Sequence, residues 1–202
     1  MATASDPPLL VKGSYLRAYG ATLKKLGIYD TVFERASPRV REALQSPPPA
    51  SVWVDYLMGI EIFALVEALK GKMALRSFAR EATRSGIAPS MQMIVQGLMR
   101  LFGVTPATLF KHMNKLAAQT TRCGVFTYEP TSDFTGTVRL EVAGHPDLSP
   151  ALWTASAGGF EVVFDTCGVV GHVQEPVVTD GPAGHVAEFR VSWRRKSEAP
   201  AE

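Results

Sequence analysis

The stretch "TRCGVFTYEPTSDFTGTVRLEVAG", residues 121–144, decides the fold, because the spacing of its apolar residues changes part-way through. Before Cys123 apolar side chains recur every three or four positions, and from Val125 onward they recur every second one. "TVRLEV" sets Val138, Leu140 and Val142 against Thr137, Arg139 and Glu141. A period of two sends these sets to opposite faces of a strand, one buried and one wet. "AEFRVSW" repeats the pattern, with Ala187, Phe189, Val191 and Trp193 against Glu188, Arg190 and Ser192. "VFTYE" and "VVGHVQEPVV" read as two further strands, and "TDGPAG" reads as the hairpin turn between the last two.

Between the strand pairs lies "SPALWTASAGGFEVVFDTCG", residues 149–168. At helical spacing Trp153, Ala157, Phe160, Phe164 and Cys167 form one narrow stripe, while Glu161 and Asp165 fall on another face. That is a helix covering a sheet, which makes the second half β-β-α-β-β. Gly158-Gly159 lacks the third glycine and the lysine of a phosphate loop, so close packing or a local kink is expected there.

The first half reads as helices. "YLRAYGATLKKLG" spaces Leu16, Tyr19, Leu23 and Leu26 along one face and ends at Gly27. A short helix is expected at "YDTVFERA", and Ser37-Pro38, Thr105-Pro106 and Ser149-Pro150 each supply a capping hydroxyl before a proline at the first helical position. The segment 54–70 is apolar almost all round and is expected to be the buried central helix, followed by helices near 72–85, 90–102 and 106–121. The fold class is thus α+β, a single domain over 11–194. Its helical half is 11–122, its sheet half is 123–194, and the tails 1–10 and 195–202 are flexible.

Composition is that of a soluble protein, with 46% hydrophobic and 20% charged residues. No apolar run is long enough for a membrane span, and "MATASDPPLL" lacks the features of a secretory signal. Cys123 and Cys167 suit reduced thiols, so a cytoplasmic location is expected. Charge is unevenly placed. Residues 70–115 carry eight Lys and Arg against the single acid Glu81, whereas residues 124–189 carry nine acids against Arg139 alone. Lys72, Arg76, Arg80 and Arg84 form a basic stripe at every fourth position, read as a solvated face rather than a nucleic-acid surface because Phe78 alone interleaves it. The acidic half suits a surface on a second copy of the chain.

His112, His145, His172 and His185 show no metal-ligand spacing. His172 and His185, on adjacent strands, are placed to face each other across a hairpin, and His112 is read as partly buried. There is no GxSxG elbow, catalytic-cysteine signature or phosphate-loop lysine.

"VKGSYLRAYGATLKKLG", "TRCGVFTYEP", "FEVVFDTCG" and "HVAEFRVSW" together resemble an uncharacterised family expanded in myxobacteria. That family is similar in architecture to a group containing haem nitric-oxide-binding domains, four-vinyl-reductase domains and transport-particle (TRAPP) subunits. The resemblance implies a ligand-binding or interaction module, an apolar cavity between helices and sheet, and frequent dimers. The Tyr-x-Ser-x-Arg clamp of the haem members is not matched by "YEPTSD" at 128–133, and the cysteines match no acylation motif of the transport subunits. No cofactor is therefore expected.

The expectation is a non-enzymatic cytoplasmic module, signalling or regulatory, that binds a small apolar ligand or a protein partner. A ligand-free homodimeric scaffold is the alternative, and an enzyme with loop-borne residues comes third. The expected cavity residues are Met93, Leu109, Met113, Trp153, Phe160 and Phe164, which core packing would also place inside. A homodimer through Leu16, Tyr19 and Leu23 is expected, with the charge split orienting the copies.

Overall fold

The computed structural model describes residues 8–87, 104–145, 148–181 and 184–195. The expected helix near 90–102, and Met93 with it, lie outside the described residues.

The chain opens with strand β1 (Leu10–Lys12) and helices α1 (Gly13–Lys25), α2 (Tyr29–Arg35) and α3 (Pro38–Gln45). Strand β2 (Trp53–Asp55) leads into α4 (Leu57–Lys70) and α5 (Lys72–Gly86). Gly27 takes the left-handed conformation, φ 65°, that ends α1. Ser37 caps α3, its hydroxyl accepting from Val40 N at 3.3 Å. Ser37 is itself held by Glu61 of α4, which accepts from its backbone N and its hydroxyl at 2.6 and 2.8 Å.

The expected helix over 106–121 is broken. The Thr105 cap starts α6 (Pro106–Lys111), the backbone turns at His112, and α7 (Met113–Ala117) leads to β3 (Thr121–Arg122). Asn114 Oδ1 accepts from Phe126 N at 2.8 Å, tying α7 to the next strand. β3 pairs with β1, giving a small sheet of order β2-β1-β3. On it Trp53 lies beneath two cations, Lys12 Nζ at 4.1 Å and the Arg122 guanidinium at 4.4 Å.

The larger sheet contains β4 (Val125–Ser132), β5 (Thr135–Ala143), β6 (Val170–Val173), β7 (Val177–Gly181) and β8 (Gly184–Arg194), with α8 (Ala151–Cys167) between β5 and β6. All of its pairings are antiparallel. The sheet has five strands where the alternation implies four, because "VVGHVQEPVV" splits around Pro176. Gln174 N still donates to Arg190 O at 2.9 Å, but Pro176 has no N–H for the ladder. β6 therefore pairs with the end of β8 and β7 with its start. His172 stands opposite Ser192, and His185 opposite Asp180 and Val142, so the two histidines do not face each other.

The central helix is α8, not α4. Met58, Ile62, Phe63 and Val66 bury one side of α4, while Leu57 and Ala68 are exposed. α8 is buried nearly all round, because the sheet covers one side and α5 the other. Phe160 meets Phe189 edge-on at 4.9 Å on the sheet side. On the far side a Cβ at Gly158 would stand 2.2 Å from the Arg76 carbonyl oxygen, so only glycine admits α5 this closely.

This approach pairs part of the basic half with part of the acidic half. Arg76 is buried against α8, with Nε donating to Glu161 Oε1 at 2.8 Å and its terminal amine to the Val173 carbonyl. Arg80 forms a two-pronged pair with Asp165, and Glu81 binds both Lys25 and Arg84 at 2.7 Å. Three of the four stripe residues are thus engaged within the chain, and while Arg76 is buried, Lys72, Arg80 and Arg84 keep the exposed face expected. Glu161 and Asp165 likewise do not await a second copy. Leu16, Tyr19 and Leu23 are 1%, 3% and 0% exposed, so they are core and offer no dimer contact.

Candidate functional site

A cavity of about 500 Å³ opens where α1, α5, α7, β3 and α8 converge. It forms against α8 rather than against the sheet, since α8 covers most of the inner sheet face and Phe126 of β4 is the large sheet's contribution. Its apolar walls are Phe63, Ala79 and Ile87 on one side and Leu109, Met113 and Leu116 on another, closed by Phe160, Val162 and Val163 of α8. The apolar stripe of α8 is wide enough to serve both neighbours: Phe160 reaches the sheet and the cavity, while Ala155 and Val163 face the helices.

Its polar groups are mostly neutral. Tyr15 and Tyr19 project from α1, Tyr56 from the residue before α4, and Thr121 and Cys123 from β3 and just after it. Tyr19 packs edge-on against Phe63 at 5.2 Å, as Tyr56 does at 6.2 Å. The Tyr15 and Tyr19 rings stand edge to face with centroids 6.2 Å apart, and Tyr19 and Tyr56 share Phe63. Burial pushes all three phenols above the ordinary tyrosine range, Tyr19 and Tyr56 well above it. Burial likewise pushes the Cys123 thiol up. The charged lining residues, Arg84 and Asp165, are held by Glu81 and Arg80.

The structure brings Leu109, Met113 and Phe160 to this cavity. Trp153 and Phe164 are turned to the sheet instead. Trp153 lies 6.2 Å from the His185 ring, and Phe164 packs on Phe110 and Trp193 at 5.8 and 6.3 Å. None of the four histidines lines the cavity. His112 is exposed at the junction of α6 and α7, not partly buried, and His185 Nδ1 lies 2.9 Å from Asp180 Oδ1. The tyrosine cluster is absent from the sequence-based set. Tyr15 and Tyr19 stand four apart on α1, a visible signal, but nothing local places Tyr56 or Cys123 beside them.

No protein-family model and no curated protein matches the sequence. Solved structures do match in fold. A Cs H-NOX mutant carrying 4-cyano-L-phenylalanine superposes with a TM-score of 0.61 at 16% identity, over 91% of this chain and 97% of that one. An H-NOX structure determined to study the molecular mechanism of H-NOX activation gives 0.59 at 14% identity, over 91% and 97%. An oxygen-binding H-NOX domain related to soluble guanylate cyclases, solved as its oxygen complex, gives 0.56 at 14%, over 95% and 99%. The chain is therefore similar in fold to H-NOX domains.

Proposed function

We propose that this chain is a cytoplasmic signalling or regulatory module that holds an apolar organic molecule in the α1–α5–α8 cavity and performs no chemistry on it. The cavity carries this reading. At about 500 Å³ it falls within the roughly 300–1,000 Å³ of small-molecule sites, and it pairs apolar walls with a few clustered polar groups. The likeness to an oxygen-binding H-NOX domain supports a ligand-holding role. The titratable groups support binding over catalysis, since burial moves the Cys123 thiol and the phenols away from the ionised, nucleophilic form. Two free thiols, Cys123 and Cys167, suit a reducing compartment.

Haem does not fit these residues. Its iron is held by histidine, cysteine thiolate, tyrosine, or methionine paired with histidine. Every histidine of the chain lies off the cavity, and the cavity's thiol and phenols are kept protonated. Among the described lining residues the cation available to a propionate is Arg84, and it is bound to Glu81 at 2.7 Å. Residues 128–133 lack the serine and arginine spacing of the propionate clamp.

Native mass spectrometry of protein purified from its own host tests the reading. The expected result is a retained organic mass that leaves on denaturation. A retained mass equal to haem would overturn it, as would a bare chain that also fails to take up an apolar dye.

A further inference from the structure

The cavity's neutral polar groups are gathered on one wall. Tyr15, Tyr19 and Tyr56 line it together with the Cys123 thiol, the Tyr15 and Tyr19 rings 6.2 Å apart and Tyr19 and Tyr56 both packed on Phe63. Two helix glycines make room for the rings. A Cβ at Gly59 would stand 3.0 Å from the Tyr19 ring and 3.2 Å from that of Tyr56, and one at Gly86 would stand 3.2 Å from the Tyr15 ring. The chain thus gives up side-chain packing on α4 and α5 at the places that seat the phenols.

We propose that the cavity selects an uncharged apolar molecule bearing one hydrogen-bonding group, an alcohol or a carbonyl, whose polar atom is taken up by the Tyr15–Tyr19–Tyr56 cluster. This rests on the ligand-binding reading above and narrows its ligand class. A phenol offers one donor and two acceptor positions, and three phenols line this cavity, so it presents hydrogen-bonding capacity to an occupant. Thr121 Oγ1 adds to it, being sealed from solvent without a hydrogen-bond partner of good geometry; the Cys123 thiol set against it is a weak one. A bare hydrocarbon would bury this wall against nothing that answers it, at a cost.

Charge is excluded by the same surroundings. Three phenols and a thiol on this wall all resist ionisation because burial penalises their anions, and a carboxylate set among them meets the same penalty. Among the described residues the lining cation is Arg84, which projects from the last turn of α5 and is bound by Glu81.

Displacement of bound N-phenyl-1-naphthylamine by 1-decanol, decanoate and decane at neutral pH tests this. Decanol is expected to displace the dye at about tenfold lower concentration than decanoate, the equivalent of one good hydrogen bond against one unfavourable charge. Tyr15→Phe combined with Tyr56→Phe is expected to remove most of the advantage of decanol over decane, and a circular dichroism spectrum and melting transition like those of the native chain show that the variant is folded. Decanoate binding as well as decanol, or a decanol-to-decane ratio unaltered by the double variant, would overturn the proposal while leaving the cavity reading standing. Failure of the dye to bind the native chain would overturn both.

Discussion

Removing the Arg76 guanidinium should cost about 3 kcal/mol of folding stability. Arg76 is 7% exposed, and its amine lies 2.6 Å from Glu161 Oε1. Breaking a buried ion pair from one side typically costs about 3–5 kcal/mol, because the other charge is left without its partner. The lower end applies here. Glu161 keeps a second cation, Arg80, at 3.6 Å, and its own side chain is 15% exposed, so water and Arg80 absorb part of the loss. For a chain of 202 residues each kcal/mol lowers Tm by roughly 2–4 °C, so Arg76→Met should melt about 6–12 °C below the native chain. The double variant Arg76→Met, Glu161→Leu removes both charges and replaces them with apolar bulk, and should recover to within about 1 kcal/mol of the native value. Denaturant unfolding followed by circular dichroism, with thermal melts in parallel, measures both. A single variant that loses less than about 1 kcal/mol, or a double variant no better than the single, would refute this account of the α5–α8 joint.

The cavity phenols should make the protein sensitive to alkali. Below a pH of about 10 they are protonated in folded and unfolded chains alike, so their contribution does not vary there. Above it the unfolded chain ionises first, since Tyr15, Tyr19 and Tyr56 are raised in the folded state, and stability falls as pH rises through their folded values. Absorbance at the phenolate band should then show these three ionising together with loss of the circular dichroism signal; ionisation with the fold intact would contradict the burial argument. With haemin, the purified chain should give no sharp Soret band from histidine ligation, and a stoichiometric band abolished by His112→Ala would disprove that.

Much of the frame is legible in the sequence where the pattern is long. β5 and β8 announce themselves through Val138, Leu140 and Val142 and through Ala187, Phe189, Val191 and Trp193, because a half-buried strand of nine or eleven residues shows several periods. The small sheet leaves no such trace, as strands of two or three residues show barely one period. Charge is the instructive failure. Composition shows that 70–115 is basic and 124–189 acidic, but it cannot show that Arg76 and Glu161, 85 residues apart, are packed on each other. Gly158 carries that information, since the missing side chain marks where another backbone comes close, and its partner is visible only in three dimensions. Of the site, Leu109, Met113 and Phe160 follow from helical stripes, whereas Trp153 and Phe164 lie on the same stripe but on the sheet side of α8. Helical spacing tells which residues are inside, not which of two interiors they face.

The cavity is walled by Val11 and Tyr15 from the start of the chain and by Val163 and Thr166 from far along it. An occupant would fasten these distant segments to one another, and unfolding would have to expel it. At a hundred times its dissociation constant such a molecule adds about 2.7 kcal/mol to the free energy of unfolding. That is a large part of the margin by which a chain of this size holds its fold, roughly 5–15 kcal/mol. In a cell, where transiently unfolded chains are removed by proteolysis, the amount of this protein would then track the supply of its ligand, with no change in its synthesis.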